Sequence, residues 1–285
     1  MKKRFGVILF LLCCCCISVK TKAASSYELY RTYGTNTKNQ VGKYTVQIKT
    51  KGMRIKKGNG SYKYIVKGMI GANFLSNGSY IYYTKVEGTK VRLYRVKMNG
   101  KSNKKITTLV KKLKTDEAVR LEGLYKNHLY FSYGQEGQFV WYPDYNYYHL
   151  KTKKIKRNIV TGLLRLYFYK GKIYGSPVTD CLDSTTPIYQ MNLDGTNQKT
   201  VVEGCDTYQF IDGMIYYSSF GLFEDEATGE RCYQCRLTRC SMNGTNIKVL
   251  VIKTRDECDY IDRFDDQYIW YSKDQKLYKE KYNIN

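Results

Sequence analysis

The 285-residue chain holds 48 Lys and Arg against 25 Asp and Glu, a formal charge of +23, with 3 Pro, 23 Gly and 30 Tyr. Its length allows one large domain with its own core, and nothing in it resembles a low-complexity linker. Few Pro, many Gly and abundant Tyr point to strands joined by Gly turns, with Tyr on half-buried sheet surfaces.

The chain opens on a targeting pattern. Lys2, Lys3 and Arg4 precede an almost unbroken apolar run from Phe5 to Val19, and Thr21-Lys22-Ala23 puts small residues before a cut. The run is short for a membrane span, so residues 1–23 read as a signal peptide cleaved after Ala23. Cys13 to Cys16 lie inside it, but Cys13 follows Leu12 rather than a small residue, which disfavours a lipid anchor. Cleavage removes five Lys and Arg and no acid, leaving 262 residues at +18. No later segment is apolar enough to span a bilayer. The expectation is an exported protein, extracellular or surface-associated. Its basic balance suits anionic polymers or acidic protein faces, the plainer alternative being solubility. Nucleic acid is not expected, because no binding module is recognisable.

Residues 24–285 read as a single repeated domain. Lys43 to Lys49, Met53 to Lys57 and Tyr62 to Lys67 alternate like the last three strands of a unit. A sharper string follows at Ile81-Tyr82-Tyr83-Thr84, Leu129-Tyr130-Phe131-Ser132, Ile173-Tyr174-Gly175-Ser176, Ile215-Tyr216-Tyr217-Ser218 and Ile269-Trp270-Tyr271-Ser272, in steps of 48, 44, 42 and 54 residues. It reads aliphatic, aromatic, usually aromatic, hydroxyl. Turn residues precede the copies, as at Asn77-Gly78, Lys170-Gly171 and Asp212-Gly213. A second strand follows in Leu93 to Gly100, Ile188 to Gly195 and Thr238 to Gly244, each ending in Asn-Gly or Asp-Gly, a strong hairpin signal. A basic strand closes the unit. Four antiparallel strands in about 45 residues make one propeller blade. The fold class is therefore all-β, a β-propeller of four-stranded antiparallel blades. Six blades are favoured and five are the alternative. The chain ends about where a third strand finishes, so Tyr27 to Tyr33 is expected to supply the missing outer strand and close the ring.

These strings resemble the bacterial secreted propellers related to the YWTD repeats of low-density lipoprotein receptors, over residues 70 to 285 and more weakly 40 to 70. The resemblance implies a binding scaffold with no agreed activity. In the receptor-type repeat an acidic residue follows the hydroxyl. Here Lys85, Tyr133, Pro177, Ser219 and Lys273 stand there, so those polar ties between blades are not expected.

Six Cys remain after cleavage, which in an exported protein suggests disulfides. Cys205 and Cys258 open successive inner strands. Cys181 falls in the loop between second and third strands of its unit, and Cys232 with Cys235 at the matching loop, or its edge, one unit later, on the same face. The expected bridges are Cys181–Cys205 and Cys258 with Cys232 or Cys235. Cys240 matches core-facing Val96 and Met191. A zinc site from Cys232, Cys235, Cys240 and Cys258 is the alternative, weakened by the absence of a second CxxC.

Chemical candidates are sparse. His128 and His149 have no marked nucleophile, and Gly100-Lys101-Ser102 lacks the preceding Gly of a phosphate loop. Glu224 to Glu230 is acidic but lacks the alternating ligands of a calcium loop. Asp116, Asp206 and Asp259 sit near inner-strand starts, where propeller glycosidases gather their acids. Trp141, Tyr142, Tyr145, Tyr147 and Tyr148 are expected in a loop on the same face, suited to sugar stacking or protein contacts. The expectation is a monomeric, non-catalytic propeller binding an extracellular protein or anionic cell-wall polymer, with Trp141, Tyr142, Tyr145, Tyr147, Asp206 and Asp259 on its binding face. No catalytic residue, cofactor or metal is assigned. The alternative is a propeller glycosidase or polysaccharide lyase using inner-strand carboxylates.

Overall fold

The computed structural model describes residues 39–283 apart from 137–140, 164–165, 178–184 and 225–228. The signal segment and the closing strand expected at Tyr27 to Tyr33 lie outside the described residues. The described chain is all-β, with 23 strands in six antiparallel sheets, each meandering in chain order.

Sheet one comprises β1 (Asn39–Val41), β2 (Tyr44–Lys49), β3 (Gly52–Lys57) and β4 (Lys63–Lys67). Sheet two holds β5 (Phe74–Ser76), β6 (Tyr80–Glu87), β7 (Lys90–Lys97) and β8 (Lys104–Val110). Sheet three holds β9 (Glu117–Tyr125), β10 (His128–Glu136), β11 (Trp141–His149) and β12 (Ile155–Thr161). Sheet four holds β13 (Tyr167–Tyr169), β14 (Lys172–Gly175), β15 (Thr186–Asn192) and β16 (Lys199–Cys205). Sheet five holds β17 (Thr207–Ile211), β18 (Met214–Glu224), β19 (Arg231–Ser241) and β20 (Lys248–Thr254). Sheet six has three strands, β21 (Tyr260–Phe264), β22 (Tyr268–Lys273) and β23 (Lys276–Lys281).

The turns explain the meander. Lys170 and Gly171 have φ of 44° and 79°, and Asp212 and Gly213 have 48° and 75°. Two successive positive φ values match a primed turn to the strand twist. At the far end of the third strand, Gly100, Gly195 and Gly244 adopt φ of 83° to 84°. A Cβ there would lie 2.9 Å from Ile65 Cγ2, 1.7 Å from the Ile159 carbonyl oxygen and 2.4 Å from that of Val201, respectively. Each contact is on the outer strand of the preceding sheet. These glycines therefore shape a turn and let neighbouring sheets close on each other.

The repeated string is apolar without alternation because its sheet is buried on both faces. Ile81 packs towards sheet one and Tyr82 towards sheet three. Ile215 packs towards sheet four and Tyr216 towards sheet six. The aliphatic position is fully buried in all five copies, each contributing about 1.5–3 kcal/mol. Five hydrophobic clusters join consecutive sheets from one through six. Among the described residues none joins sheet six to sheet one, and every residue of β23 is exposed.

The hydroxyl position is also buried in every copy. Ser176 Oγ donates to Tyr208 Oη of the next sheet at 2.9 Å. Ser218 Oγ accepts the Thr207 N–H at 3.3 Å, and Ser132 bonds Glu122. At these copies the hydroxyl satisfies polar groups within the sheet or across to the next.

Candidate functional site

Antiparallel alternation brings the starts of the first strands and the loops between second and third strands to one face. On it, two aspartates hold the same place one sheet apart. The Asp206 N–H donates to the Ser218 carbonyl at 2.9 Å, and the Asp259 N–H to the Ser272 carbonyl at 2.8 Å. Ser218 and Ser272 are the hydroxyl residues of their repeats, so β17 and β21 start in the same register.

The two carboxyls have different surroundings. Asp206 is reached by solvent, yet the protein packed around it raises its pKa by desolvation, which outweighs the N–H offered by Phe220. Asp259 lies 3.5 Å from Lys273 Nζ and accepts the Asp274 N–H at 2.8 Å. Lys273 is itself held by the Arg255 carbonyl at 3.1 Å.

Cys235 of β19 and Cys258, just before β21, are both buried, and both acids act on Cys235 through their charge. The Cys235 thiol reaches the Cys258 carbonyl at 3.5 Å. A hydrogen bond from Cys258 lowers the Cys235 pKa, opposed by burial and by the charges of Asp206 and Asp259.

An aromatic platform stands beside Asp206. Phe220 and Tyr233 stack at 5.6 Å between centroids, 19° from parallel, and are 38% and 41% exposed. Exposed Leu222 extends the platform, and the Arg255 guanidinium sits 5.4 Å from the Tyr233 ring. A cleft of about 640 Å³ opens on the sheet-four side of the same hairpin, lined by Glu203, Ser219, Phe220, Phe223 and Arg236. Asp206 and Asp259 do not line it.

The sequence candidates are partly brought together. Asp206, Asp259, Cys235 and Cys258 converge at the junction of sheets five and six. Asp116 does not share their register; it precedes the longer β9 and accepts a hydrogen bond from Gln135. The aromatic stretch is not a loop, because Trp141, Tyr142, Tyr145, Tyr147 and Tyr148 all lie in β11. Tyr145 and Tyr148 are buried in the core, and Tyr147 packs edge-on against His128 at 4.7 Å. The His128–His149 pair lies at the opposite end of its hairpin from the aspartate face.

Cys181 lies outside the described residues. Cys205 ends β16 rather than opening an inner strand, and donates to the Thr186 carbonyl at 3.2 Å. Cys232 and Cys235 lie in the first half of β19, at the edge of that loop. All five described cysteines are thiols. Cys240 packs towards sheet four while Cys235 packs towards sheet six, so the four-cysteine zinc alternative does not assemble. Sequence reading missed Phe220, Tyr233, Arg255 and Lys273. The available signal was Phe220-Gly221-Leu222, whose alternation carries the strand past the end of the repeat string.

No family model and no curated protein matches the chain. Solved structures do. An oligogalacturonate lyase in complex with manganese aligns at a TM-score of 0.53 with 11% identity, over 89% of this chain and 75% of that one. The oligogalacturonate lyase of Vibrio parahaemolyticus aligns at 0.53 with 11% identity, over 90% and 79%. A putative TolB from Agrobacterium tumefaciens covers 80% of this chain and 82% of its own at 13% identity, with a TM-score of 0.41. At such identities the likeness shows the fold, a β-propeller. The expectation of a non-catalytic binding propeller is corrected here. Both alignments at 0.53 are with propeller enzymes, which fit the carboxylate-based alternative better.

Proposed function

We propose that this propeller cleaves glycosidic bonds in an anionic polysaccharide, with Asp206 as general acid and Asp259 as its carboxylate partner. The observation that carries the reading is the matched pair itself. Two aspartates hold one register on neighbouring sheets, one with its pKa raised by desolvation and the other held by a lysine. Two carboxyls in such different surroundings can divide acid and base roles. Asp206 would protonate the glycosidic oxygen as its bond to the sugar breaks. Asp259 would stabilise positive charge developing on the ring or activate water. Phe220 and Tyr233 would stack on sugar faces, while Arg255 and Lys273 would attract acidic groups.

The proposal extends to architecture and location. Each sheet would form one blade of a six-bladed ring, the last of them ending at the exposed edge of β23. Residues 1–23 direct export, which would bring the protein to extracellular or cell-surface anionic polymers.

A second reading is elimination rather than hydrolysis, favoured by the fold shared with the lyases. One experiment separates the two. The protein is incubated with oligogalacturonate and other acidic polysaccharides, and both new reducing ends and the ultraviolet absorbance of unsaturated sugars are followed. Hydrolysis yields reducing ends alone, and elimination yields both. Neither product from any acidic polymer would overturn the proposal.

A further inference from the structure

We propose that Cys235 and Cys258 form a disulfide that staples sheet five to sheet six beneath the aspartate pair. Cys235 lies on β19 and Cys258 on the connection from β20 to β21, so the bond would cross from one sheet to the next. These two share the hydrophobic cluster between sheets five and six. They are 1% and 0% exposed, with the Cys235 thiol 3.5 Å from the Cys258 carbonyl. Cys232 is separated from this contact by the pleat: it pairs across from Phe223 while Cys235 pairs across from Phe220, on the other face of the hairpin. Gln234 Nε2 holds the Cys232 sulfur at 3.1 Å. Cys205 and Cys240 pack at the junction of sheets four and five.

The place has a mechanical reason. Among the described residues sheet six lacks a fourth strand, and its third is exposed along its whole length. Among the described residues the hydrophobic cluster that joins it to another sheet is the one shared with sheet five. A covalent tie there holds the last sheet when its outer edge opens.

The chemistry needs an oxidant, and a low-molecular-weight disulfide such as oxidised glutathione serves. The Cys235 thiolate attacks the donor, forming a mixed disulfide and releasing one donor thiolate. Deprotonated Cys258 then attacks the Cys235 sulfur, forming the protein disulfide and releasing the second donor thiolate. The protein loses two protons and two electrons, and the donor gains them as two thiols. Cys235 suits the first role because the hydrogen bond from Cys258 lowers its pKa, whereas that same bond and burial raise Cys258. Burial implies that the bond forms during folding and thereafter resists reductants until the chain is unfolded.

The test is peptide mapping without reduction. The full chain is refolded in a glutathione redox buffer, alkylated in denaturant and digested with trypsin. The expected product joins the peptide spanning Cys232 to Arg236 to the one spanning Asp256 to Arg263, at two hydrogens below the summed mass. The link persists in C232S and disappears in C235S. Alkylation of Cys235 and Cys258 in the unreduced wild type, or loss of the link in C232S, would overturn the proposal. If C235S does not fold, the wild-type and C232S maps decide the matter. The bond does not depend on the catalytic reading, since the mapping involves no substrate.

Discussion

Sheets three and five each send a long hairpin towards the aspartate face, and they use aromatic side chains in opposite ways. In sheet three, β10 and β11 run nine residues each, and Tyr130, Tyr145 and Tyr148 are buried. The hairpin also consumes its own polar groups. Tyr133 Oη donates to Glu117 at 2.6 Å, which lowers the Glu117 pKa, while burial and that carboxylate push Tyr133 up to about 12. In sheet five, β18 and β19 run eleven residues each, and Phe220, Leu222 and Tyr233 stay exposed next to Asp206. Aromatic density therefore does not mark a binding surface. What decides is whether the strand register turns the rings to a neighbouring sheet or beyond the neighbour's reach.

Tyr145 and Tyr233 differ most between the two hairpins. Y145A empties a site with 1% exposure, so urea unfolding should show a loss of about 3–5 kcal/mol. Y233A removes a ring that is 41% exposed and should move stability by no more than about 0.5 kcal/mol. Equal losses would mean that the two hairpins are used alike.

Asp206 and Asp116 extend the contrast to chemistry. D206N should lower kcat on an acidic polysaccharide by about a hundredfold or more, with an unchanged melting temperature. D116N, on the sheet-three side, should leave kcat unchanged. Because desolvation raises the Asp206 pKa, its proton is retained to higher pH than in an ordinary aspartate. Activity should then fall as pH rises through that raised value, and this limb should vanish in D206N. A wild-type limb that survives in D206N would assign the acid elsewhere.

The propeller was legible because its local signals agree. Apolar strings, Gly turns and Asn-Gly or Asp-Gly hairpins recur in one order, and each copy falls on a strand or turn of one of the sheets. Even so, Gly195 carried a second meaning that sequence does not display. It reads as a turn residue, but its Cα also closes on the Ile159 carbonyl of the preceding sheet. The site was half legible. Asp206 and Asp259 could be placed by counting from the repeat, and Cys258 by the same count. The aromatic face could not, because β10 and β11 continue past the repeat length and the Tyr cluster lies within strand. The Cys232 or Cys235 ambiguity had the same origin: two residues three apart in a strand point to opposite faces, and only register says which meets Cys258.

The exposed ring of Tyr233 should leave its mark on binding rather than on folding. If the sheet-five hairpin is a sugar platform, Y233A should raise KM by about tenfold, roughly 1.4 kcal/mol of lost binding, with kcat nearly unchanged. A ring that binds ground and transition states equally affects KM alone. Arg255, 5.4 Å from that ring, should give a second signature. R255A should raise KM for acidic polymers at low salt, and the difference from wild type should shrink as salt increases, because exposed charges are screened. Neutral polymers should show no such salt dependence. A salt-independent rise in KM for R255A would instead make Arg255 a packing support for Tyr233, leaving the platform with its stacking role and moving recognition of acidic groups to Lys273.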